Sequence, residues 1–101
     1  MKGLPVPISF EWDEGNLDKN WEKHKVFYKE AEEVFFNKPL HARKDVVHSQ
    51  VEDRYIALGI TNKGRKLYIV FTVRNPERIR IISARDQSKK ERGLYEKEKN
   101  H

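Results

Sequence analysis

RYIALGITNKGRKLYIVFTVRNPERIRIISA, residues 54–84, is the stretch that decides the fold. It divides into three strand-like runs, Arg54–Thr61, Leu67–Arg74 and Arg78–Ala84, rich in β-branched and aromatic residues. Between them lie Asn62-Lys63-Gly64-Arg65 and Asn75-Pro76-Glu77, residue types that favour chain reversal. Matching apolar side chains predicts a register. Ile60 faces Leu67, Leu58 faces Ile69 and Ile56 faces Phe71; then Val73 faces Ile79 and Phe71 faces Ile81. A slip of one residue in the second hairpin sets Phe71 against Arg80 and exposes half the core.

This register predicts two unlike faces. Ile56, Leu58, Ile60, Leu67, Ile69, Phe71, Val73, Ile79 and Ile81 make the apolar one, each side chain worth roughly 1.5–3 kcal/mol when buried. Tyr55, Tyr68, Thr72, Arg74, Arg78 and Arg80 make the other, around Ala57, Gly59 and Val70. Such a basic and aromatic surface can hold RNA, with phosphates on arginine and bases on tyrosine. It is equally what the solvent side of an antiparallel sheet looks like.

Upstream, Ile8–Trp12 reads as a short strand anchored by Phe10 and Trp12. Asp13 or Asn16 can cap a helix running to about Lys25, with Leu17, Trp21 and His24 on one face. A second helix is predicted from about Tyr28 to Asn37, with Phe27, Ala31, Val34 and Phe35 as its apolar stripe, stopped by Pro39. Leu40–Val47 is a weaker strand, and His48–Asp53 a polar connection.

Downstream, Ser88 with Glu91 forms a capping box for a basic helix from Lys89 to about Lys97, which sets Arg92 and Tyr95 one turn apart. The charged tail, Glu96–His101, is expected to fray. The reading is an α+β fold, an antiparallel sheet packed against N-terminal helices with a short basic C-terminal helix. The 101 residues suit a single domain, 1–101, with its body between Phe10 and Tyr95.

Charge narrows the partners. The chain carries a net charge of +5, and residues 74–101 hold nine Lys or Arg against five Asp or Glu. An arginine-bearing strand running into a basic helix fixes positive charge where phosphate can be gripped, and the planar guanidinium suits phosphate better than an ammonium. An acidic protein would fit the same charge. Cysteine is absent, no stretch can span a bilayer, and the N-terminus lacks the apolar run of a signal peptide. The expectation is a soluble cytoplasmic protein with no membrane partner.

No phosphate-cradling glycine loop is present, and His24, His41, His48 and His101 are scattered without metal spacing. Neither a metal nor a cofactor is expected, and covalent catalysis has no candidate nucleophile. RNA cleavage can run on what remains. The ribose 2′-hydroxyl is an internal nucleophile, so a protein need only orient it, move protons and stabilise the pentacoordinate phosphate. Arg85, Arg92 and Arg80 can neutralise phosphate charge, while Tyr95, Glu91, His24 or Lys23 can carry protons. The alternatives are a structural His24 beside Trp21, a solvated Lys23, and an edge ion pair from Arg54 to Asp53 or Glu52.

The order of motifs resembles the BrnT toxin family. It comprises Phe10-Glu11-Trp12-Asp13, Asn20 to Lys23-His24, Glu30-Ala31 with Val34-Phe35, Asp53-Arg54-Tyr55-Ile56-Ala57-Leu58-Gly59, Arg78 to Arg85, and Glu91-Arg92 with Tyr95. The resemblance implies a ribonuclease toxin of a type II toxin–antitoxin pair with a RelE-like fold. Its implied partner is a BrnA-like antitoxin, through which alone it would meet DNA. By similarity the catalytic roles fall on Arg54, Arg85, Arg92 and Tyr95, with Lys23, His24 and Arg80 beside them. RNA binding is expected of Arg74, Arg78, Arg80, Tyr55, Tyr68 and Lys89. Two departures from the family pattern are Lys38 before Pro39, and Asp86 after Arg85, which is placed to orient Arg85 or dampen its charge. A non-catalytic RNA-binding module and a basic protein-interaction module are the competing classes.

Overall fold

The computed structural model describes residues 9–74 and 78–99, without the side chains of 98 and 99. Ile8, the turn Asn75-Pro76-Glu77 and the last tail residues, expected above, lie outside the described residues. The order is β1 (Phe10–Glu11), α1 (Glu14–His24), α2 (Tyr28–Val34), β2 (His41–Lys44), β3 (Tyr55–Ile60), β4 (Lys66–Arg74), β5 (Arg78–Asp86) and α3 (Lys89–Lys99). The strands form one sheet in the order β1-β5-β4-β3-β2. It is mixed rather than wholly antiparallel, because β1 runs parallel to β5. This α+β arrangement packs α1 and α2 on one face, around Val26, Ala31, Val34, Phe35, Leu67, Ile69, Phe71, Ile79 and Ile81.

The second hairpin has the expected register at Val73–Ile79 and Phe71–Ile81. The first is slipped by one residue. Tyr55 pairs with Phe71, Ala57 with Ile69, and Gly59 with Leu67, so Ile56, Leu58 and Ile60 turn to the opposite face. The cause is the closeness of α2. A Cβ on Gly59 would run into Val34 Cγ1, so the helix demands the smallest side chains of β3 beneath it. The large ones go to the other side, and Tyr55 joins the core face, stacked on Phe71 at 5.5 Å. A bulge between Val70 and Phe71 then shifts β5, so that Ser83 pairs with Val70 and Arg85 with Tyr68.

Asp13 is the N-cap of α1, accepting from Asn16 N–H at 2.7 Å, and Lys25 ends the helix in the left-handed conformation at φ 55°. The inward residue of α1 is Asn20 rather than Trp21, which is half exposed. The reason is the sheet edge. β1 covers only Ile79 and Arg80 of β5. Beyond it, Asn20 Oδ1 accepts from Ala84 N–H at 3.2 Å, and Asn16 Nδ2 donates to the Ile81 carbonyl at 3.4 Å. Side-chain amides thus replace a missing strand. α2 stops at Val34, short of Asn37, and Val26 is buried where Phe27 was expected. At the other end, β2 is a four-residue edge strand.

Candidate functional site

The slipped register aligns side chains in rows across the face opposite α1 and α2. His41, Leu58, Tyr68 and Arg85 form one row across four strands. Arg43, Ile56, Val70 and Ser83 form the next. Thr72, Arg80 and Glu11 follow, then Arg74 with Arg78. The first turn of α3 reaches over the first row. A groove of about 520 Å³ lies between, lined by His41, Arg43, Ile56, Leu58, Tyr68, Glu91 and Leu94 among others.

Arg85 stands at its rim, held on three sides. Its guanidinium lies 3.9 Å from the Tyr68 ring centroid and donates twice to Glu91, at 2.8 and 2.9 Å. It also donates to the Asp86 carbonyl at 3.0 Å. Glu91 is itself fixed, because Ser88 N–H donates to it at 2.8 Å while Glu91 N–H donates to Ser88 Oγ at 3.2 Å. This is the capping box read from the sequence. The bidentate pair keeps Arg85 more firmly protonated than usual and holds the Glu91 carboxyl below its ordinary value. The result is a preoriented cation beside an aromatic ring, an arrangement that can receive an anionic group.

Asp86 does not orient Arg85 through its carboxylate. Strand alternation sends it to the other side, where Arg65 Nε donates to it at 2.6 Å. Arg65 also donates to the backbone carbonyls of Lys25 and His24, at 2.8 and 3.1 Å, tying the α1–α2 turn to the sheet. The Arg65 contact holds the Asp86 carboxyl below its ordinary value, with smaller contributions from His24 and Arg92.

The expected site residues are therefore divided. Arg85 and Tyr68 meet at the groove. His24 lies near Asp86 on the other side, and Lys23 is exposed on α1. Arg92 is exposed and donates to the Gln87 carbonyl at 2.8 Å. Arg54 lines a separate depression with His48 and Glu52, at the start of β3. It sits four residues before Leu58, which lies in the row of Arg85, an offset of about 13 Å along the strand at roughly 3.3 Å per residue, and two strands across from Arg85. Tyr95 is turned inward, fully buried, with its hydroxyl donating to the Pro39 carbonyl at 2.7 Å. Burial pushes its phenol above the ordinary value. Tyr55 is a core-face residue, not a partner of Tyr68.

Of the remaining basic residues, Arg80 pairs with Asp13 at 2.7 Å and Glu11 at 3.7 Å, and Arg74 pairs with Glu52 at 3.4 Å. Arg78 and Lys89 are exposed. Such partly exposed pairs contribute about 0–1 kcal/mol and yield readily to a phosphate. Two groove residues, His41 and Arg43, escaped the sequence reading. Their signal was the alternation His41-Ala42-Arg43 on a short strand, legible only once β3 is set in its true register. Among the described residues no group of three His, Asp or Glu side chains could hold a metal ion, and no helix is long and apolar enough to cross a membrane.

A family model described as the ribonuclease toxin BrnT of type II toxin–antitoxin systems matches residues 12–91. No curated protein matches the chain. The matched span runs from Trp12, ahead of the α1 cap, to Glu91, which clamps Arg85, and so takes in β2 to β5 and the rim of the groove. The chain belongs to the BrnT family, the ribonuclease toxins of type II toxin–antitoxin systems.

Proposed function

We propose that this toxin cleaves RNA at the groove between β2–β3–β4 and α3, using the ribose 2′-hydroxyl as nucleophile and arginine rather than a metal ion to carry charge. The observation behind this is Arg85, stacked on Tyr68 and held by Glu91 at the groove rim. A guanidinium fixed before substrate arrives stabilises the charge that develops on a pentacoordinate phosphate without reorganising. Its contacts with Glu91 are exchanged for phosphate oxygens as the strand binds. The proton of the 2′-hydroxyl goes to an imidazole, and His41, in the same cross-strand row, is the histidine lining the groove. His24 and Lys23 then act outside this centre, and Tyr95 supports it from within.

Beyond the groove, Arg78 on the mixed face of the sheet and Lys89 at the start of α3 are exposed and extend the strand's track. The RelE-like assignment is supported by a hairpin sheet with two helices on one face and a third helix at its end. A protein antitoxin follows from the type II class. We take it to be BrnA-like and to supply any contact with DNA. The cytoplasm is where such RNA and antitoxin are met.

The test is incubation of purified protein with a defined RNA in excess chelator, beside Arg85→Ala and His41→Asn variants. Fragments ending in 2′,3′-cyclic phosphate are expected, with the Arg85→Ala rate lower by about 10²–10³-fold while RNA binding is largely kept. RNA left intact by the wild type, yet bound with Arg85-dependent affinity, would sink free-standing catalysis.

A further inference from the structure

The groove offers more than a phosphate holder. Its floor is apolar, from Ile56 and Leu58, and Leu94 overhangs it half exposed. Half-open apolar side chains beside arginines suit a flat, mostly apolar occupant attached to an anion. We propose that the groove is a nucleobase subsite selective for guanine, next to the phosphate held by Arg85; this rests on reading the face as the one that binds RNA.

The selectivity comes from the two charged side chains lining the groove. Arg43 is exposed and has no hydrogen bond or ion pair among the described residues, so its donors are available. Glu91 Oε1 accepts from Arg85 and from Ser88 N–H, whereas Oε2 accepts from Arg85 alone and keeps acceptor capacity. Guanine joins an edge with two acceptors, O6 and N7, to an edge with two donors, N1–H and N2–H₂. A guanidinium takes the first and a carboxylate the second. Adenine sets its amino donor against the guanidinium and leaves a polar group unpaired, while no pyrimidine combines a two-acceptor edge with a second edge of two donor groups.

The experiment is an NMR titration of the full chain with guanosine 3′-monophosphate and, separately, adenosine 3′-monophosphate. The guanine nucleotide is expected to bind about ten-fold tighter or more, with shifts at the Leu94 methyls and the Tyr68 ring. Arg43→Gln brings the ratio to about one and leaves a weaker, phosphate-dependent association. Equal wild-type affinities, absence of binding, or shifts confined to other surfaces would overturn the subsite. RNA cleavage read in parallel separates the two readings. RNA cut without preference for guanine refutes the subsite and spares the ribonuclease. Guanine selectivity in the groove with uncut RNA does the reverse.

Discussion

Tyr95 shows how a residue's place in a helix can be read from sequence while the direction of its side chain cannot. Its position one turn after Arg92 was readable from the helix period, but its buried ring, 5.6 Å from that of His41, and its hydroxyl on Pro39 make it a strut beneath the groove. Tyr95→Phe should cost about 1 kcal/mol of stability, the net value of one hydrogen bond, and leave the chemical step intact. Chemical denaturation beside single-turnover RNA cleavage checks this; loss of cleavage with unchanged stability would return Tyr95 to the machinery. The position of Arg85 was legible, at the end of an arginine-bearing strand leading into a capped basic helix. Its clamp was half legible. The capping box located Glu91, but sequence neighbourhood favoured Asp86 as the orienting acid, and strand alternation turned that carboxylate away to Arg65. His41 was illegible, since nothing in a lone histidine on a weak strand says which side chains lie two strands across.

At the level of elements, the helix caps and the second hairpin followed from local chemistry, whereas β3 did not. Both its faces carry usable hydrophobic sets, so maximising apolar pairs chose the wrong one. What decides it is the helix overhead, a long-range fact that Gly59 and Ala57 record only as smallness. Gly59→Ala should therefore destabilise the fold by about 1–3 kcal/mol, read as a lower denaturant midpoint at unchanged slope. An unchanged midpoint would mean that α2 can lift without cost. The attachment of α3 is sensitive to acid. Glu91 titrates below its ordinary 4.5 because Arg85 is bonded to it. As pH falls, the unfolded chain takes up that proton before the folded one. The stabilisation is whole above about pH 4.5 and lost as pH drops through the folded value. Glu91→Gln should flatten the acid limb of a melting-temperature profile below about pH 4.5; a limb as steep as the wild type's would assign the effect to other carboxylates.

For the whole molecule, the charge surplus is a statement about salt. RNA affinity should fall linearly on a log–log plot against salt, with about 0.7 of slope for each phosphate neutralised on a single strand. Arg78→Gln should remove about 0.7 from that slope, and Arg80→Gln less, because Asp13 and Glu11 already balance Arg80. Equal losses would show that those internal pairs open fully on binding. A different consequence follows from the two flanks of the sheet. A bare strand edge is a template on which a second chain can grow, and a toxin released from its antitoxin must stay dispersed to act. On one flank, Asn16 and Asn20 occupy the hydrogen-bonding sites that an incoming strand would need. On the other, β2 is short and carries Arg43 and Lys44, so two copies brought edge to edge would repel. Occupancy on one side and repulsion on the other oppose the addition of a further strand to the five described, the step by which a β-rich middle would grow into fibres.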